Sequence, residues 1–378
     1  MQSVRHILIS MIKPGPAFTR PRIPAAKCLQ LVRLNPIITR SELVESTGLS
    51  QPTITRATTA LLNIGLIQER HDLTRSQGRG RPTVPLESAE APWILAGIAV
   101  GTEATYIALY DTMGRLLRDD VVNTHVASLS QADFIEYIIA GVNKLLVDQR
   151  HRLVSVGVTT SGQLDDRDRV TAPNLGWQGF DIRSRLEFQF QVPVTVSAAV
   201  PAILGSETQG TPTNVDETVL VLFADDSLGA ALSDSEGVKQ IRPLPQVRSS
   251  LLGNGRAEEV LTTAHIEKVI KDSSADERSI LNERAHQLGT LTAQLIDKYA
   301  PNTVVIAGSA FADDSEAPRR FASVVRKHAQ SVQLRMIPTH REIVRAVSRA
   351  VALDPLLRDP IELGKVAQAL EDRLAVSK

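Results

Sequence analysis

Cysteine is almost missing from this 378-residue chain: the single Cys28 leaves no disulfide framework and no cysteine-rich metal site to build within one chain. A reducing cytoplasm fits that composition. No apolar stretch reaches the roughly 20 residues needed to span a bilayer, so no membrane partner is expected. The short run from Ile7 to Ile12 is followed by Pro14, Gly15 and Pro16 without a small-residue cleavage pattern, which argues against a secretory signal. Net charge is missing too, since 42 Lys+Arg balance 42 Asp+Glu. What is present, 43% apolar and 22% charged residues, is the balance of an ordinary globular protein, long enough for two or three domains.

The zero charge hides a division. Residues 1–87 contain twelve Lys or Arg and five Asp or Glu, a net +7, and the remainder carries the compensating −7. Such a basic head on an acidic body points to one polyanion-binding end.

Residues 1–24, with Pro14, Pro16, Pro21 and Pro24, read as a flexible basic arm without a fold of its own. Residues 25–87 read as a winged helix-turn-helix. A first helix over Ala25 to Arg33 buries Cys28, Leu29, Leu31 and Val32 and ends at Asn35-Pro36. A second opens on the capping box Thr39-x-x-Glu42 and closes at Gly48. Ser50 caps a third, with Pro52 in its first turn and Ile54, Ala57, Leu61 and Leu62 as its buried stripe. Strands over Leu66 to Arg70 and Pro82 to Leu86 then form the wing, and residues 88–92 lie in the linker, read from Glu87 to Pro92. From 93 to 378 strands alternate with helices, in two halves that each open on strand pairs, as in the two-lobed actin-like ATPase architecture; alternation by itself supports an α/β class.

In a helix-turn-helix the second helix enters the major groove. Pro52, Thr55, Arg56, Thr59 and Asn63 fall on its outward face, with Gln51 at the leading end. An arginine there forks onto guanine, a glutamine pairs with adenine, and threonine methyls meet thymine; Ser50 and Thr53 suit phosphate contacts. The wing tip Gly78-Arg79-Gly80-Arg81-Pro82 resembles an AT-hook core, whose arginines suit a narrow, electronegative minor groove. The bland alternatives are a solvated hairpin tip, and helices that pack or contact protein. Paired reading heads require an even-numbered assembly, so a homodimer or higher homo-oligomer on double-stranded operator DNA is expected.

Four segments carry a family likeness: Leu43 to Arg56, Gly97-Ile-Ala-Val-Gly101, Gly157-Val-Thr-Thr-Ser-Gly162 and Ala172-Pro-Asn-Leu-Gly-Trp177. Together they resemble the ROK family of repressors and sugar kinases, from about Ala25 onward. The resemblance implies a DNA-reading head and a sugar-kinase-like body. It also shows what is lost. Ala99 stands at the position of the family's Asp-x-Gly-Gly-Thr aspartate, and Ala199 where the catalytic base follows the Pro-Val strand. An alanine accepts no proton. Ala224-Asp-Asp-Ser-Leu-Gly-Ala230 replaces the glycine-rich phosphate loop with one glycine and two carboxylates, and Pro243 to Arg256 has no histidine or cysteine for the family's zinc and sugar clamps.

The expected chemistry is therefore no enzyme, no cofactor and no metal, but a transcriptional regulator, repressor or activator. Its inactive kinase-like body binds a small-molecule effector, sugar or non-sugar, through Ser161, Gly162 and Asn174, and mediates dimerisation. Two alternatives stand beside this: an active carbohydrate kinase with an accessory head, and a ligandless architectural dimer.

Overall fold

A computed structural model of the chain describes residues 17–74, 83–209, 217–337 and 340–376. The head forms where local chemistry demands it. Helix α1 (Pro24–Leu34) begins on a proline and buries Ala25, Ala26, Cys28, Leu29 and Val32. Helix α2 (Arg40–Thr47) carries the complete capping box, with Thr39 Oγ1 accepting from the Glu42 amide and the Glu42 carboxylate accepting from the Thr39 amide at 2.7 Å. It stops at Gly48, whose φ of 67° is left-handed. Helix α3 (Gln51–Asn63) is capped by Ser50 and buries Ile54, Ala57, Thr58 and Leu61. Leu62, expected in the stripe, is only half-buried, and Thr58 takes its share of the core.

Two expectations change. The wing is an antiparallel pair of β1 (Ile67–Glu69) and β2 (Leu86–Ser88), so its second strand starts where it was expected to end. Pro85 lacks the amide a ladder requires, and the β1–β2 register begins at Leu86, just after it; Glu87 and Ser88 belong to the wing rather than the linker. The residues before α1 differ from a free arm as well, because Phe18 is buried and its amide donates to Asp354 Oδ1 at 2.7 Å. Residues 1–16 and the wing tip 75–82 lie outside the described residues.

Next come β3 (Trp93–Val100), β4 (Ala104–Tyr110) and β5 (Leu116–Asn123), an antiparallel meander. Helix α4 (Gln131–Leu146) leads to β6 (Arg152–Thr160), which returns parallel to β3. A small antiparallel sheet of β7 (Gln163–Leu164), β8 (Val170–Ala172) and β9 (Trp177–Phe180) follows, then α5 (Ile182–Phe190) and β10 (Val194–Ala198), parallel to β6. Asp181 caps α5 by accepting from the Ser184 amide, and Trp177 is locked edge-on between Phe134 and Phe180 with centroids 4.8 and 4.9 Å away. Both residues are structural.

A second compact unit comprises residues 199–347. It opens on α6 (Ala199–Gln209), then β11 (Val219–Ala224), β12 (Leu228–Asp234) and β13 (Gly237–Ile241), again an antiparallel meander. The hairpin β14 (Gln246–Ser249) and β15 (Gly253–Arg256) follows, with helices α7 (Ala257–Val260), α8 (Thr263–Asp272) and the long α9 (Glu277–Tyr299). Strand β16 (Thr303–Ala307) is parallel to β11, and after α10 (Ser309–Ala312) and α11 (Ala317–His328) strand β17 (Gln333–Met336) is parallel to β16. The two five-stranded sheets, β10-β6-β3-β4-β5 and β13-β12-β11-β16-β17, share one plan: a three-strand meander whose first strand is flanked by two later parallel strands. That repeat is the two-lobed architecture the strand pairs implied.

Helices α12 (His340–Arg358) and α13 (Pro360–Val376) end the chain, and residues from Ser348 onward belong to the first unit. Gly97 and Gly157 are register partners on β3 and β6. A Cβ on Gly97 would stand 2.3 Å from the Ser348 carbonyl oxygen, and one on Gly157 would stand 2.4 Å from that of Val351. α12 thus lies directly on the sheet backbone. It carries Asp354 beneath Phe18 and continues into α13, which packs against α1 and α3.

Gly157→Ala should lower stability in urea unfolding by about 3 kcal/mol, because backbone rather than a movable side chain is in the way. Gly179→Ala, left-handed but with nothing nearby, should cost about 1 kcal/mol. Burial raises the Asp354 carboxyl above its ordinary range, against a smaller opposing effect of Arg358. A raised folded-state value means that stability falls as pH climbs from the unfolded-state value, near 4, through the folded one. Asp354→Asn, which can still accept from Phe18, should remove that fall and leave thermal stability at pH 7 equal or higher.

Candidate functional site

The turn between α2 and α3 is built by short polar side chains. Thr47 Oγ1 donates to the Leu43 carbonyl at 2.6 Å and accepts from the Leu49 amide, while Ser50 Oγ accepts from the Thr53 amide and pairs with Thr53 Oγ1 at 2.9 Å. With Ile54, Ala57, Thr58 and Leu61 held inside, Gln51, Pro52, Thr55, Arg56, Thr59 and Asn63 are exposed together on one face of α3. The Arg56 guanidinium lies back along the helix, Nε donating to the Pro52 carbonyl at 3.4 Å. It therefore sits at the leading end beside Gln51. Ser50 and Thr53 already share their hydroxyls, so each combines a capping role with an outward surface.

Arg79 and Arg81 lie outside the described residues. Among the described cations, several are spent internally. Arg70 pairs with Asp72 and Glu87, and the half-buried Arg33 donates to the Thr112 and Met113 carbonyls, with its pKa lowered to about 10 by desolvation. Arg40 reaches Thr58 Oγ1 at 3.2 Å and Glu69 at 2.7 Å, joining α2, α3 and β1. Arg22, Lys27 and Arg56 have no carboxylate partner among the described residues. The head's charge excess is thus partly structural, and sequence reasoning missed both Arg40 and the buried Thr58 it contacts.

The expected effector residues do come together in the first unit. Ser161 follows β6, and Asn174 sits in a one-turn 3₁₀ helix after β8, its Nδ2 donating to Ser161 Oγ at 2.9 Å. Both face solvent with hydrogen-bonding capacity to spare. At Gly162 a Cβ would meet Val170 Cγ1 at 2.7 Å and the Thr171 carbonyl oxygen at 2.9 Å, so only glycine lets the chain pass under β8.

In the second unit the turns after β11 and β16 meet. Gly308, at φ 107°, brings the chain so close that a Cβ would lie 2.2 Å from the Ala224 carbonyl oxygen. Asp225 then accepts from the Ser309 amide at 3.2 Å and from Ser309 Oγ at 2.9 Å, while Thr263 Oγ1 shares a bond with Ser309 Oγ and accepts from the buried Arg284. Desolvation lowers the Arg284 guanidinium to about 10. The carboxylate of this chain occupies the amide and hydroxyl donors at the two turns. Pro243 to Arg256, where the zinc segment was expected, is fastened by Ser249 Oγ instead, which donates to Glu283 at 2.7 Å and accepts from the Leu251 and Leu252 amides. Among the described residues no three His, Cys, Asp or Glu side chains gather at one point, and no helix is long and apolar enough to cross a membrane.

The ROK family matches residues 95–231 of the chain. A Mycobacterium tuberculosis protein named as a transcriptional regulator is 29% identical over 397 residues, covering 93% of this chain and 89% of that protein. The xylose repressor of Bacillus subtilis is 25% identical over 198 residues, half of each chain: 51% of this one and 50% of the repressor. Among solved structures, a ROK family transcriptional regulator homologous to the Escherichia coli MLC protein superposes with a TM-score of 0.71 at 17% identity, over 91% of this chain and 98% of that one. The ROK hexokinase of Thermus thermophilus superposes at 0.55 and 17% identity, over 69% and 98%. These likenesses fix the fold as a winged helix-turn-helix head on an actin-like body.

The Arg40 bridge yields a test. The Glu69 carboxyl is held below its ordinary value, first by the hydrogen bond from Arg40. A depressed folded-state pKa supplies stability at neutral pH that is lost as pH falls through it. Arg40→Ala should cost about 1 to 2 kcal/mol at pH 7, and that deficit should shrink toward pH 3 in parallel urea titrations.

Proposed function

Because the chain carries a ROK family domain behind a winged helix-turn-helix head, we propose that it is a DNA-binding transcriptional regulator whose kinase-like body senses rather than phosphorylates. The observation that carries this reading is the exposed face of α3, with Gln51, Pro52, Thr55, Arg56 and Thr59 set outward by a buried stripe and by a Ser50 cap. Arg56 suits bidentate contact with a guanine and Gln51 with an adenine, while Ser50 and Thr53 lie where the duplex backbone would pass. Arg79 and Arg81 on the wing tip complete the proposed contacts in the minor groove. The names of the relatives, transcriptional regulators and xylose repressors, support the assignment.

The reading excludes phosphoryl transfer by this chain. Ala99 on β3 and Ala199 at the start of α6 offer no carboxylate, and Asp225 presents a negative charge at the turn that would have to welcome phosphates. Ser161 and Asn174 are the effector contacts we assign, with Gly162 shaping the turn between them. Homodimerisation, which pairs two heads across a two-fold operator, belongs to the same reading.

Gel-shift titration against a library of fragments from the gene's own upstream region tests it. Wild-type protein should select a duplex with a steep loss of affinity between 50 and 200 mM salt. Arg56→Ala should weaken that duplex about tenfold or more, equivalent to roughly 1 to 3 kcal/mol for one bidentate base contact, with little change on unrelated DNA. Salt-independent binding, or ATP turnover with any hexose, would overturn the assignment.

A further inference from the structure

We propose that the second unit contains a separate small-molecule site that takes an amphipathic anion, a compact apolar body bearing one carboxylate or phosphate. A cavity of about 360 Å³ opens between β13, the β14–β15 hairpin and the C-terminal end of α9. That volume falls at the small end of ordinary ligand pockets, which are mostly apolar with a few placed polar groups. Ile241, Leu244 and Leu295 form its floor, each nearly sealed from solvent by the rest of the unit.

Its rim is cationic. Arg256 and Lys298 both line the opening, with the Gln294 amide between the apolar floor and the lysine on the same helix. Ladder pairing with Gln246 fixes the backbone of Arg256 in the hairpin, and the Lys298 ammonium lies 5.0 Å from the centre of the Tyr299 ring. Neither has a carboxylate partner among the described residues, and the Gln294 amide has no hydrogen bond there. Other cations of the unit do have carboxylate partners, such as Lys239 with Asp234 and Glu236, Arg278 with Asp314, and Arg335 with Glu207. Two unpaired cations facing one apolar floor favour a ligand whose head is anionic and whose body is not. The hairpin contributes because Ser249 and Glu283 set its turn and Glu258 accepts from the Leu244 amide, fixing floor and rim together.

The site goes beyond DNA reading and stands apart from Ser161 and Asn174, so binding is measured on the full chain without DNA. Isothermal titration with octanoate and with octyl phosphate should each show saturable one-to-one binding, and their relative strength distinguishes carboxylate from phosphate recognition. 1-Octanol and inorganic phosphate should bind at least tenfold more weakly. The double substitution Arg256→Ala and Lys298→Ala, both exposed, should weaken the better amphiphile at least tenfold, and Gln294→Trp, which fills the mouth from a solvent-facing position, should abolish binding. Thermal unfolding of both variants checks that the fold is intact. Absence of saturable binding by both amphiphiles, octanol binding as tightly as octanoate, or unchanged affinity in both variants would each overturn the proposal.

Discussion

Two missing side chains govern the first unit. Gly97 and Gly157 face each other on neighbouring strands, and the backbone of α12 comes to rest where their Cβ atoms would be. The contact is tighter than side-chain packing because the carbonyls of Ser348 and Val351 are themselves the contacting groups. Pro355 takes part in this. It has no amide to offer the Val351 carbonyl in the usual helical bond, and that same carbonyl is the group nearest Gly157. From this landing the rest is placed in turn. Tyr110 Oη donates to Ser348 Oγ, Arg349 and Leu353 close on Gly114, and Asp354 receives Phe18. Helix α13 then leaves with Gly364 against Ile64, the residue that caps α3. The helix that exposes Gln51, Thr55, Arg56 and Thr59 is therefore tied to the sheet by backbone proximity.

Charge in the head answers to the same packing. A tally of Lys and Arg treats every cation as available to a polyanion, but Arg33, Arg40 and Arg70 are committed to carbonyls and carboxylates that join elements of the fold. Arg33 reaches the turn between β4 and β5, so it fastens head to sheet. The exposed cation on α3 is Arg56, which acts at one end of one helix. Electrostatic attraction draws any duplex; position decides which one is kept.

Legibility followed the range of the forces involved. The capping box at Thr39 and Glu42, the left-handed Gly48 and the Ser50 cap are hydrogen-bond chemistry within four residues, and the sequence shows them directly. Strand pairs were legible from apolar runs. The wing register was not, because Pro85 forbids pairing without saying where it resumes. α12 was not legible either: Pro355 lies inside it, and the local rule that a proline ends a helix yields to tertiary packing. Thr58 reads as a surface residue until Arg40 is seen across from it. Gly162 looks like a ligand-binding glycine in the sequence, and only the closeness of Val170 and Thr171 shows that sterics require it.

The turns after β11 and β16 are joined by hydrogen bonds within the chain. Gly308 lets the two segments approach so closely that Asp225, covalently part of the chain, is hydrogen-bonded to the amide and hydroxyl of Ser309. A tethered carboxylate has an effective concentration that a dissolved phosphate must overcome, and two like charges at one set of donors repel. Arg284, buried behind Thr263, adds a compensating positive field that makes the arrangement self-consistent. With the Ser309 donors satisfied from within the chain, the two turns are held together by a bond that needs no ligand.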